Sequence, residues 1–258
     1  MKKRLLIIVL FLLVFLNIIF LVFESISDQI LIIGGNTIIK YTNNNISKIK
    51  NVTKINKKYD YEKFYVYNNN LFEEDYVSFN ENSNFEYVGY DIYNKNMEKI
   101  NLNNNFLAYK GNLKIKVLPT TVITELNDSD KKILDNELYR YQINSSNINF
   151  NKVRADLNQD GKTEEIYIVN NFNSNDEDNN KFSTVFLRTA NNQIIKIVDD
   201  ETSYDESYKL QAYNFAYAID IDNDNQYEIA LSSYYDESAE YYKFYKYDEN
   251  SNTIKEIK

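Results

Sequence analysis

Alternating apolar and polar positions, broken by short Asn-rich turns, recur four times along this chain. Ile38-Ile39-Lys40-Tyr41-Thr42 and Ile46-Ser47-Lys48-Ile49 flank Asn43-Asn44-Asn45. Tyr90-Asp91-Ile92-Tyr93 and Met97-Glu98-Lys99-Ile100 flank Asn94 to Asn96. Val185-Phe186-Leu187-Arg188 precedes Asn191-Asn192 and Gln193-Ile194-Ile195-Lys196-Ile197. Tyr245-Lys246-Tyr247 precedes Asn250 to Asn252 and Thr253-Ile254-Lys255-Glu256-Ile257. A period of two on both sides of a turn is the pattern of a half-buried β-hairpin. With only 5 glycines in 258 residues, asparagine must fill most of the left-handed turn positions. The expected fold is mainly β.

Two segments depart from that period. Asp128-Ser129-Asp130 begins a stretch that places Leu134, Leu138 and Tyr141 at i, i+4 and i+7. This predicts a short amphipathic helix near 128–141, opened by capping residues and packed on a sheet or at a boundary. Residues 5–23 are apolar except for Asn17, preceded by Lys2-Lys3-Arg4 and followed by Glu24. As a helix they are about 28 Å long, close to the hydrocarbon thickness of a bilayer. The basic flank places residues 1–4 in the cytoplasm and the rest of the chain outside the cell membrane. A cleaved signal peptide is the rival, with Ser25-Ile26-Ser27 as its small-x-small site, and an uncleaved anchor is preferred on length. The lone proline, Pro119, divides the exterior part into an N-terminal β region, 30–118, and a C-terminal region, 120–258.

Within the second region two acidic loops stand 64 positions apart. Asp156-Leu157-Asn158-Gln159-Asp160-Gly161-Lys162-Thr163-Glu164 is loop one, and Asp220-Ile221-Asp222-Asn223-Asp224-Asn225-Gln226-Tyr227-Glu228 is loop two. Each has an oxygen-bearing side chain at positions 1, 3, 5 and 9, with Gly or Asn at position 6 to take a positive φ. Alternate oxygens on a tight turn converge on one centre, which suits a hard cation such as Ca²⁺. In loop one the donors are Asp156, Asn158, Asp160, the carbonyl of Lys162, and Glu164. In loop two they are Asp220, Asp222, Asp224, the carbonyl of Gln226, and Glu228. Four carboxylates against three favour tighter binding in loop two, tempered by Asn225 where loop one has Gly161. An EF-hand would need Glu at position 12, which here is Tyr167 or Leu231, and helical flanks. Both loops instead run into apolar strand-like segments, Ile166-Tyr167-Ile168-Val169 and Ile229-Ala230-Leu231. The repeated unit is strand, acidic loop, strand, connection and hairpin, about four strands, with Asn173 to Asn180 as a solvated insertion in the first copy.

On these residues, over about 148–258, the chain resembles FG-GAP or VCBS repeats, the Ca²⁺-loop blades of integrin-α-like β-propellers. The resemblance implies propeller-like antiparallel blades in which a structural Ca²⁺ stiffens the loop between two strands. The chain departs from the family pattern in having Glu at position 9 and no Phe-Gly/Gly-Ala-Pro segment. Two repeats are too few to close a propeller. Residues 30–118 are either earlier blades without the loop or a separate β domain.

Composition narrows the chemistry. The chain has no cysteine and no histidine, which removes disulfides, thiolate or His-ligated zinc, and Ser-His-Asp catalysis. A formal charge of −9 argues against nucleic-acid partners. Glu73-Glu74-Asp75 and Asp199-Asp200-Glu201 are candidate carboxylates for glycoside hydrolysis, but adjacent acids on a polar stretch read first as a solvated face. The 24 tyrosines read first as strand formers, and second as a sugar- or peptide-binding surface. The expectation is therefore a membrane-anchored extracytoplasmic interaction module, not an enzyme, with a protein or polysaccharide ligand. A carboxylate-based polysaccharide hydrolase and an accessory subunit of an envelope complex are the alternatives.

Overall fold

The computed structural model describes residues 29–34, 37–42, 45–49, 58–68, 71–81, 88–100, 107–112, 114–139, 148–171, 181–202, 211–234 and 241–257. The apolar segment 5–23, Tyr141 and the insertion 173–180 lie outside these residues. Among the described residues no helix is long and apolar enough to cross a membrane.

The protein is mainly β: among the described residues there are three antiparallel sheets, none closed into a barrel, and one complete helix. The first sheet contains β1 (Gln29–Ile33), β2 (Thr37–Thr42), β3 (Asn45–Lys48), β4 (Glu62–Asn68), β5 (Leu71–Glu81), β6 (Val88–Tyr93), β7 (Lys99–Ile100) and β8 (Leu107–Lys110). Its order is β3-β2-β1-β8-β4-β5-β6-β7. Two very short strands follow, β9 (Lys116–Val117) and β10 (Thr121–Ile123), on either side of Pro119. The remaining strands are two meanders of four. β11 (Asn149–Ala155), β12 (Glu164–Asn171), β13 (Lys181–Arg188) and β14 (Ile194–Thr202) form the second sheet, with β10 added at its edge. β15 (Ala212–Asp220), β16 (Glu228–Tyr234), β17 (Tyr241–Asp248) and β18 (Thr253–Ile257) form the third, with β9 at its edge. The chain around Pro119 thus gives one edge strand to each meander.

All four expected hairpins form antiparallel pairs: β2 with β3, β6 with β7, β13 with β14, and β17 with β18. Three of their turns close with the amide of the fourth residue donating to the carbonyl of the first: Asn94 to Met97, Thr189 to Asn192, and Glu249 to Asn252. The fourth residue is left-handed in each, at φ 62° for Met97, 63° for Asn192 and 52° for Asn252. Asparagine fills that place twice, as expected. In the remaining turn Met97 takes it, because the Asn94 side chain accepts the amides of Asn96 and Glu98 and holds the turn from its first position.

Burial by alternate faces stacks the three sheets. Ile229 and Leu231 of β16 join Val153, Ile166, Ile168, Val185 and Leu187 in a core between the second and third sheets. Ala230, Phe244 and Tyr242 turn the other way, onto Leu31, Ile33, Ile39 and Leu107 of the first sheet. The third sheet is therefore buried on both faces, and each fully buried Ile, Leu or Phe stabilises the stack by about 1.5–3 kcal/mol. Gly34 marks the closest approach: its φ is +54°, and a Cβ there would collide with the Tyr242 ring.

The helix, α1 (Asp128–Leu138), covers the outer face of the second sheet. Leu134 and Leu138 pack on Tyr167, Val169, Phe182 and Phe186. Its N-cap is Asn127, one residue ahead of the expected start. The Asn127 side chain accepts the Asp130 amide at 2.9 Å, and Asp130 accepts the Asn127 amide at 3.3 Å, a reciprocal cap that satisfies two free donors.

Candidate metal centre

Both acidic loops join the first and second strands of their meander, so the stacking of the two sheets brings them side by side. The Tyr227 amide of loop two donates to the Leu157 carbonyl of loop one at 2.8 Å. Leu157 and Tyr227 are both part of the core between the sheets. The β17–β18 turn closes over them, with the Asn158 amide group donating to Glu249 at 2.7 Å.

Equal spacing gives equal local structure. The aspartate at position 1 accepts the amides of positions 5 and 6: Asp156 from Asp160 at 3.1 Å and Gly161 at 3.0 Å, Asp220 from Asp224 at 3.1 Å and Asn225 at 3.2 Å. The aspartate at position 5 accepts the amide of position 7, from Lys162 at 2.7 Å and from Gln226 at 2.8 Å. The glutamate at position 9, buried at the start of the next strand, accepts the amide of position 2, from Leu157 and Ile221, both at 3.0 Å. Position 6 is left-handed as expected, at φ 82° for Gly161 and 66° for Asn225. Position 4 is left-handed too, at 57° for Gln159 and 59° for Asn223. The acidic side chains thus tie their own backbone into a turn that leaves the remaining oxygens facing inward.

The loops differ in what meets those oxygens. In loop two, oxygens of Asp220, Asp222 and Asp224 lie within 4.8 Å of one another. Lys246 of β17 reaches into them, with Nζ 3.0 Å from Asp222, 2.7 Å from Asp224 and 3.0 Å from Glu228. Lys116 of β9 adds a second ammonium, 3.5 Å from Asp220 and donating to Asn225 at 2.6 Å. Among the described residues no such acidic trio forms in loop one, where Asn158 holds position 3. Strand register names the counterpart of Lys246. Ile229 pairs with Tyr245 as Glu165 pairs with Arg188, so the next residues, Lys246 and Thr189, are equivalent. Thr189 carries no charge, and its hydroxyl accepts the Gln193 amide. β10, the counterpart of β9, carries no charged residue. Among the described residues the ammonium at loop one is that of Lys162, 3.3 Å from Asp160 with its side chain 63% exposed.

Protonation follows the same division. Burial pushes the Glu164 carboxyl up, Asp160 and Asp156 push it further, and only backbone amides oppose them. Burial pushes Glu228 up to about 7, against the pull of the Ile221 amide and the Lys246 ammonium. Burial alone would lower Lys246, but its contacts with Asp224, Glu228 and Asp222 hold it well above the usual lysine range.

A divalent ion can be tested against each loop. In loop one, Asp156, Asn158, Asp160, Glu164 and the Lys162 carbonyl are hard oxygen donors of the kind Ca²⁺ takes, and among the described residues no buried cation lies against them. In loop two, Asp220, Asp222, Asp224, Glu228 and the Gln226 carbonyl are the same donor set, but Lys246 already stands among three of them. The expectation of tighter metal binding in loop two rests on its carboxylates, three of which do lie close together; the structure adds Lys246, 18 residues beyond Glu228 in sequence and 3.0 Å from it.

The structure assembles a second charged cluster that spacing did not reveal. Lys152, 4% exposed, donates to both oxygens of Asp130 at 2.7 and 2.9 Å, and the Tyr167 hydroxyl lies 2.9 Å from Asp130 and 3.0 Å from Glu165. Arg188 completes it, 2.9 Å from Glu165. Burial opposes ionisation of Asp130, but its bonds from Lys152, Tyr167 and Asn127 hold the carboxyl below the usual range. These groups pin α1 to the second sheet. Glu73, Glu74 and Asp75 lie on β5 in the first sheet, whereas Asp199 and Asp200 lie on β14 in the second. Comparison with protein-family models, curated proteins and solved structures finds no match to this chain.

Proposed function

We propose that this chain is a single-pass membrane protein whose exterior part is a binding module of stacked, FG-GAP/VCBS-like β blades, with Ca²⁺ bracing loop one. The observation that carries the reading is the duplicated acidic turn between the first two strands of two face-packed meanders. All of its acids but Asp222 accept amides of their own loops, which is the work of a brace. Asp156, Asn158, Asp160, Glu164 and the Lys162 carbonyl would hold the ion, which supplies positive charge to a turn that is otherwise short of it. The residues 5–23 are the proposed anchor.

The ligand surface is the cleft of about 350 Å³ between the first and third sheets. Lys48, Gln211, Tyr241, Lys243 and Glu256 line its mouth, over a floor that includes Ile39, Phe244 and Ile257. Tyr241 is 38% exposed and lies 5.7 Å beneath Lys48 Nζ. An aromatic face ringed by hydrogen-bonding side chains suits a polysaccharide or a peptide segment. Crosslinking from residue 241 in intact membranes tests this. A discrete glycan or protein adduct that a Tyr241→Ala, Lys243→Ala chain competes for poorly supports the reading. Equal competition by the variant and the unaltered chain removes the cleft from the account.

A further inference from the structure

We infer that Lys246 is a built-in cation that replaces the metal of loop two, so that loop two is formed without any ion while loop one depends on one. The inference rests on geometry. One ammonium group lies within 3.0 Å of carboxylates from positions 3, 5 and 9 of the loop, which are three of the five donors a divalent ion would use. Glu228 is fully buried and Asp220 is too, so the charge cannot be left to solvent. An ammonium carries three donors, enough for one toward each carboxylate. Lys116 covers the outer oxygen of Asp220 and ties down Asn225, the position-6 residue. The two lysines thus meet all four carboxylates of the loop.

The position of Lys246 also explains the asymmetry of the repeat. It projects from the strand that pairs with the loop's exit strand, one position beyond the Ile229–Tyr245 pair, where its ammonium reaches Glu228. A side chain from there lies inside the turn whenever the hairpin is formed, so its effective concentration is that of a tethered group and needs no ion from solution. In the other meander that register position is Thr189, too short and without charge. A divalent ion entering loop two would have to expel Lys246 into solvent and leave its charge beside its own. Two oxygens stand against the inference: Asp222 Oδ1 and Glu228 Oε1 are buried and receive no hydrogen bond among the described residues, the second although Lys246 Nζ lies 3.0 Å from it. Those atoms are where a metal would show itself, and Asp222, the less buried residue of the two, is the reporter.

The test counts Ca²⁺ bound per full-length chain by equilibrium dialysis, for the unaltered protein and for Asn158→Ala, Asp222→Ala and Lys246→Met. The count should be unchanged by Asp222→Ala. Lys246→Met should gain one ion, and Asp222→Ala added to it, which deletes the position-3 donor, should remove that ion again. In chelator Lys246→Met should melt roughly 10 °C below its Ca²⁺-loaded form. Loss of an ion from the Asp222→Ala chain would overturn the inference, as would a folded Lys246→Met that gains none. The Asp222→Ala comparison stands alone if Lys246→Met does not fold. Asn158→Ala reports on loop one separately: an Asn158→Ala chain that binds as much Ca²⁺ as the unaltered one sinks the brace proposed for loop one and leaves the assignment of Lys246 to loop two untouched.

Discussion

Loops one and two share spacing, backbone hydrogen bonds and left-handed positions, yet one is filled by a lysine from its neighbouring strand and the other is not. The comparison separates two things that a nine-residue motif seems to specify together. Alternate oxygens and a left-handed residue at position 6 determine the shape of the turn. On the assignment proposed for Lys246, the residue one position beyond the Ile229–Tyr245 or Glu165–Arg188 pair, Lys246 or Thr189, determines which cation the turn takes. A motif can therefore keep its fold and change its ion through one substitution outside its own length.

Breaking the comparison at Lys246 should have the largest effect. Lys246→Thr gives loop two the residue that loop one has, and leaves three carboxylates beside one another, Glu228 among them fully buried. A loss of about 3–5 kcal/mol in chelator is expected from urea unfolding. A loss near zero would mean that the lysine is incidental.

Glu228 should give the next effect, and it is one of pH. Its folded value of about 7 lies above the 4.5 of an unfolded glutamate, so the fold holds this proton more tightly than the unfolded chain does. Stability therefore falls as pH rises from 4.5 to 7, by up to about 3 kcal/mol, and stays lower above that. Glu228→Gln should flatten this part of the curve when unfolding is compared at pH 5 and pH 8. An unaltered slope would place the titration elsewhere.

Calcium should act through loop one. At a hundredfold excess over Kd it adds about 2.7 kcal/mol to the unaltered chain by mass action, and nothing to Asn158→Ala. A shift that survives Asn158→Ala would assign the ion to another site.

The smallest effect sharpens the shared part of the loops. Gly161→Ala meets no atom within 4 Å, so its cost is that of a left-handed alanine, about 1 kcal/mol. Asn225→Gly relieves the same strain in loop two but loses the bond from Lys116, and should come out within about 0.5 kcal/mol of neutral. A larger loss there would make Lys116 more than an accessory to Lys246.

What the sequence disclosed divides along the same line. Local patterns were readable because their cause is local. The four hairpins follow from period two, α1 from Leu134 and Leu138 four apart, and the inward turn of both loops from oxygens at alternate positions. Contacts across strands were not readable. Lys246 sits in Tyr245-Lys246-Tyr247, where alternation reads it as an outward polar residue, and only the register of β16 against β17 puts it inside the loop. Lys152 likewise reads as a surface lysine until α1 lays Asp130 over it. The bulge between Phe215 and Tyr217 breaks the alternation of β15, and β9 and β10 are too short to carry any pattern. The pairing of β1 with β8 joins segments more than seventy residues apart, which no spacing rule reaches. The glutamate at position 9 stood out by its spacing, but its burial and its bond from the position-2 amide did not.

The most direct test of the central claim moves the lysine and counts ions. Calcium bound per full-length chain should be one for the unaltered protein, two for Lys246→Thr, and none for Thr189→Lys, which places the ammonium opposite Glu164. A count of two in the unaltered protein, or a count that does not follow the lysine from one loop to the other, would contradict the account.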